Sequence, residues 1–97
     1  MRLTQPTDFE ILEAFDEHGR NVASNIAIHL DKDRPYINTR MPALADHGLI
    51  EKIGPAAKSG LYELTERGEA ALAYRDQYDA VGHEEFGTLV EDVVDHG

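Results

Sequence analysis

A chain of 97 residues with nine basic and nineteen acidic side chains carries a formal charge of -10. That length holds one domain, or one small domain with an arm, and a core of this size gains stability from oligomerisation. Without cysteine there is neither a disulfide frame nor a thiolate zinc site. No apolar run reaches the roughly 20 residues that span a bilayer or forms a signal-peptide core, so a cytoplasmic protein with no membrane partner is expected.

Thr7-Asp8-Phe9-Glu10, after Pro6, has the form of a capping box in which Thr7 accepts the Glu10 amide and Glu10 reaches back. Phe9, Ile11, Leu12 and Phe15 recur at helical spacing, which predicts a first helix from Asp8 to His18, stopped by Gly19. Arg20, Asn21 and Val22 read as a short extended link. A second helix follows over Ala23 to Leu30, with Ile26, Ala27 and Leu30 as its buried stripe. Asp31-Lys32-Asp33 is a polar turn. Asp33 stands where an N-cap belongs and Pro35 falls in the first turn, where its missing N–H costs nothing. The third helix runs from Arg34 to Asp46 with Ile37, Met41 and Leu44 inward, and His47-Gly48 ends it. Pro42 lies inside this helix, where it removes the bond to the Asn38 carbonyl and predicts a kink or a loosened turn.

Leu49 to Ile53 reads as a strand, Gly54 to Gly60 as a turn-rich loop, and Leu61 to Leu64 as the returning strand. Thr65 caps a fourth helix expected to reach Ala80. Gly82 breaks the chain, and a last helix covers Glu84 to Val94. The expected fold is mainly α with a small β-hairpin, an α+β arrangement in the order of a winged helix-turn-helix. Its core would occupy residues 1–67 and a C-terminal helical arm residues 68–97.

Charge follows these boundaries. Residues 1–18 hold five acids and one base (-4), residues 19–67 six acids and seven bases (+1), and residues 68–97 eight acids and one base (-7). Three Lys stand against six Arg. Such acidity ordinarily argues against nucleic acid. Excess Asp and Glu with few Lys instead suits a halophilic protein in molar salt, where a Debye length of about 3 Å screens repulsion from phosphate. The competing reading is an acidic interaction domain of a mesophile.

The segments LADHGLIEKIG and GLYELTERGEAAL, following DRPYINTRMPAL, resemble the winged-helix repressor-like proteins of halophilic archaea, a group related to a haloarchaeal phage repressor. The resemblance covers about residues 8–74 and implies a transcriptional regulator.

In a winged helix-turn-helix the third helix enters the major groove and its N-terminal half meets base edges. The outward positions here are Arg34, Tyr36, Asn38, Thr39 and Arg40. They supply two guanidinium forks, an amide and a hydroxyl, the groups that direct readout requires. Arg40 has a competing reading as an ion-pair partner of Asp46 or Glu63, and Tyr36 as a side chain packed on the turn. Ser24 and Asn25 open the second helix, where free amides suit phosphate and where simple capping is the alternative. Lys58 and Ser59 crown the hairpin loop as phosphate or minor-groove contacts, with Arg20 and Lys52 as weaker phosphate candidates.

The five His residues are scattered without ligand spacing, so no metal is expected. No nucleophile triad, phosphate loop or dinucleotide fingerprint is present, so neither an enzyme nor a cofactor is expected. Ala71, Tyr74, Tyr78 and Val81, then Phe86, Val90 and Val93, form apolar stripes that predict a homodimer on double-stranded DNA. The alternative folds the last helix back onto its own domain. The rival function is a winged-helix protein-interaction module whose acidic face docks a partner.

Overall fold

The computed structural model describes residues 1–55 and 60–96. It is mainly helical, with one small antiparallel sheet. The helices are α1 (Thr7–His18), α2 (Ala23–Leu30), α3 (Arg34–Asp46), α4 (Glu66–Ala73) and α5 (Tyr78–His96), and the strands are β1 (Ile50–Lys52) and β2 (Tyr62–Leu64). No helix among the described residues is long and apolar enough to cross a membrane.

The first helix keeps its expected end but starts one residue earlier, at Thr7, and without its expected cap. Pro6 occupies the N-cap position and no side chain caps it, so the Thr7–Glu10 box does not form. The N-terminal segment folds back instead. Asp8, fully buried, accepts the Thr4 amide on Oδ2 at 2.7 Å, and Thr7 is buried in the first turn. Gly19 closes the helix at φ 79 by donating to the Phe15 carbonyl.

Apolar spacing sets α2 and α3 at the lengths read from sequence. Helix α2 packs against α3, and Ile26 and Ala27 of α2 lie buried in one core cluster with Ile37, Met41 and Leu44 of α3. Pro42 sits inside a continuous α3. Helix α3 ends with Gly48 at φ 77, as Leu49 donates to the Leu44 carbonyl at 3.0 Å, a six-to-one closure that needs a left-handed residue. Ile50, Glu51 and Lys52 pair with Leu64, Glu63 and Tyr62. That register sets Glu51 opposite Glu63, an unfavourable like-charge pair. Arg20 lies 3.7 Å from Glu63 on the other side and offsets part of it.

The link before α2 does more than connect. Asn21 exchanges two backbone hydrogen bonds with Tyr62, at 2.9 and 3.0 Å, which makes it a third edge of the hairpin and fixes the start of α2 beside β2. Thr65 caps α4 as expected, accepting the Gly68 amide at 3.0 Å. A Cβ on Gly68 would stand 2.1 Å from the Leu49 carbonyl oxygen, so only glycine lets α4 approach β1 this closely.

The C-terminal region differs most from expectation. Helix α4 stops at Ala73, not Ala80; Tyr74 leaves helical geometry and a 3-10 turn at Arg75–Gln77 follows. Gly82, at φ 83, interrupts α5 as the sequence suggested. The stripe beyond it turns inward on its own chain. Phe86 and Val90 are fully buried, and Phe86 packs edge-on against Phe9 of α1 (6.0 Å) and Tyr78 (5.1 Å). Arg67 of α4 forms a bidentate ion pair with Glu91 of α5. Residues 68–96 thus share one core with residues 1–55, and the alternative of a folded-back last helix is the one observed.

Candidate nucleic-acid interface

Helix α3 presents different chemistry on each side of its buried ridge. With about 100° between successive residues, Ile37, Met41 and Leu44 fall on one line facing the core. Arg34, Asn38 and Pro42 follow one flank at spacings of four. Tyr36 and Arg40 follow the other, and Pro35 and Thr39 point away from the core.

The first flank opens into a cleft of about 460 Å³ between the start of α2, α3 and the hairpin. Ser24, Arg34, Asn38, Pro42, Lys52 and Tyr62 are among its lining residues. Backbone pairing of Asn21 with Tyr62 brings Ser24 to this wall, and the β1–β2 register brings Lys52 opposite. Among the described residues the lining carries two bases and no acid, whereas each of the other four described concavities includes Glu or Asp. On a chain of charge -10 this is a local exception.

Arg34 is exposed and makes no hydrogen bond or ion pair among the described residues. Asn38, one turn on, is also exposed. Its backbone carbonyl faces Pro42, which has no N–H to give, and its side-chain amide makes no hydrogen bond among the described residues. Helix α2 begins at an extended Val22 without a side-chain cap; the Asn25 amide donates to the Val22 carbonyl at 3.1 Å, which leaves the amides of Ala23 and Ser24 as the uncapped ones of its first turn.

The other expected residues are placed differently. Arg40 forms a bidentate ion pair with Asp8, Nε to Oδ1 at 2.9 Å and Nη2 to Oδ2 at 2.8 Å, and not with Asp46 or Glu63. The Asp8 hydrogen bond holds the guanidinium pKa above its ordinary value. Thr39 donates its hydroxyl to the Pro35 carbonyl at 3.0 Å, and Asn25 donates its side-chain amide to Asn21 Oδ1 at 2.8 Å. Both lie on the surface with part of their hydrogen-bonding capacity used locally. Tyr36 is 39% exposed on the Arg40 flank, away from the cleft. Arg20 is engaged by Glu63. Lys58 and Ser59 lie outside the described residues.

Two features escaped the sequence reading. The rings of His18 and His29 lie parallel, 3.7 Å apart, joining the C-terminal ends of α1 and α2. Among the described residues no group of three or more His, Asp or Glu could hold a metal ion. Ile28 of α2 is 77% exposed, although its helix carries the expected apolar stripe on another face. Helical spacing alone separates Ile28 from Ile26 and Ala27 and could have marked it.

The chain matches no family model, no curated protein and no solved structure.

Proposed function

We propose that the protein is a sequence-specific, repressor-like transcriptional regulator, a winged helix-turn-helix that reads duplex DNA with α3. The observation that carries this reading is the cleft, lined by no acid among the described residues, in which Arg34, Asn38, Ser24 and Lys52 converge. In the proposed complex, Arg34 supplies a fork for guanine O6 and N7, and Asn38 an amide for adenine. The first turn of α2 and Lys52 face phosphate. Exposed acids on α5, such as Glu84, Glu85, Asp92 and Asp95, remain in solvent. Few cations contact phosphate in this arrangement, so non-specific affinity is low and base contacts carry more of the discrimination. Molar salt suits such a surface, in keeping with the halophilic composition.

A homodimer belongs to the same reading. Phe86 and Val90 are spent in the core, so a second copy would cover the groove between α4 and α5, where Ala73, Tyr74, Val93 and Val94 are flanked by Glu66 and Glu69. The rival, a protein-interaction module, draws support from the exposed Ile28.

Fluorescence anisotropy in molar KCl, with duplex fragments selected from the source genome, separates the two. Specific binding that disappears in the Arg34→Ala, Asn38→Ala double variant supports the regulator. Absence of binding at every salt concentration, together with a protein partner whose affinity depends on Ile28, sinks it. Light scattering of Tyr74→Glu under the same conditions tests the dimer, which should become a monomer.

A further inference from the structure

Arg40 carries a positive charge on the helix assigned to DNA, yet it faces away from the cleft. Its guanidinium is held at both ends by Asp8, whose carboxylate is fully buried and also takes the Thr4 amide at 2.7 Å. Three segments therefore meet at one carboxylate: the N-terminal stretch, the first turn of α1 and the middle of α3. Two residues beyond Arg40, Pro42 deprives α3 of the hydrogen bond to Asn38. The half of α3 that bears Arg34 and Asn38 is thus joined to the rest of its helix by a weakened turn. Ile37 and Met41 seat that half on the core, but apolar packing is non-directional and fixes rotation about the helix axis poorly. A bidentate fork fixes direction as well as distance.

We infer that Asp8 and Arg40 are positioning residues which lock the half of α3 before Pro42 so that Arg34 and Asn38 present at a fixed angle to DNA. The inference rests on the DNA-reading function proposed above. It reassigns Arg40 from contacting the ligand to orienting the residues that do.

Charge gives the test its sign. Asp8→Asn removes a negative charge from a chain of -10. If Asp8 were a bystander, the variant would bind duplex DNA as well as or better than the parent. As a positioning residue it should bind about tenfold more weakly, the equivalent of one lost base contact. Arg40→Lys keeps the charge and loses the fork, so it should weaken binding as much as Arg40→Gln. The slope of log affinity against log salt should match the parent in both, because no phosphate contact is removed. A phosphate-contacting Arg40 would instead be rescued by Lys, and Gln would lower the slope by about one.

The probe is the selected genomic duplex in the full-length protein, and Arg40→Lys serves if Asp8→Asn fails to fold. Amide hydrogen exchange without DNA supplies an arm independent of the function. In Asp8→Asn or Arg40→Lys, the amides of residues 37–41 should exchange faster while those of α2 do not. Failure of the parent to bind any duplex would overturn the DNA reading alone. Unchanged α3 exchange, or tighter binding by Asp8→Asn, would overturn the positioning role.

Discussion

Helices α3 and α5 are both amphipathic, and their polar sides have opposite characters. Outside its buried Phe86 and Val90, α5 exposes Glu84, Glu85, Asp92 and Asp95. Beside its buried Ile37 and Met41, α3 exposes Arg34 and Asn38 to an acid-free cleft. Acid is the default surface of this chain, so it carries little information about where a ligand binds. A basic side chain left without a carboxylate partner carries much more. Arg20, Lys32, Arg40, Arg67 and Arg75 each pair with Asp or Glu. Arg34 does not, although nineteen carboxylates are available in the chain.

The largest expected effect tests whether α5 belongs to the core. Phe86→Ala removes a fully buried ring packed against Phe9 and Tyr78, and should cost about 4 kcal/mol in denaturant unfolding followed by circular dichroism. A loss below about 1 kcal/mol would mean that the stripe packs on something other than its own domain, and the contrast with α3 would collapse.

A smaller effect concerns how α5 is held to α4. The hydrogen bond from Arg67 lowers the Glu91 pKa from the ordinary 4.5. A carboxyl with a folded pKa below its unfolded value contributes stability that is present above the unfolded pKa and lost as pH falls through the folded one. The Arg67–Glu91 contribution is therefore intact at neutral pH and disappears below about pH 4.5. Glu91→Gln should be less stable than the parent at pH 7 and converge with it in acid. Both groups are exposed to solvent, so the difference is small and shrinks further in molar KCl. Thermal unfolding across pH at low salt checks it, and curves that stay parallel into acid would remove the pair from the account.

These differences show where the sequence was legible. Helices α2 and α3 were read at their observed bounds because apolar spacing and Gly48 are local signals. Arg34 and Asn38 were read as outward-facing, but in one set with Tyr36, Thr39 and Arg40; that these fall on different sides of α3 was not separated. The end of α4 was not, because neither Gly nor Pro marks the exit at Tyr74. Nor was the partner of Arg40, because Asp8 lies 32 residues away and comes near only once α1 and α3 pack. A motif at the start of α1 suggested that Thr7 and Glu10 would cap it. Burial of Asp8 under the N-terminal segment displaced that motif with a long-range ion pair.

The smallest stability effect is the most diagnostic. Arg34 and Asn38 touch no carboxylate and anchor no neighbouring element. Replacing both with Ala should change the unfolding free energy by no more than about 0.5 kcal/mol, the usual range for exposed sites. Alanine also has the higher helix propensity at position 38, so a slight gain is the expected direction. Residues kept for binding tend to be neutral or costly for the fold, and their removal is then felt only when ligand is present. Thermal and denaturant unfolding of the double variant provide the measurement. A loss of 2 kcal/mol or more would show that the cleft is held together by these side chains and would recast it as architecture. An unchanged midpoint with abolished anisotropy would support the proposed binding role of the Arg34 flank.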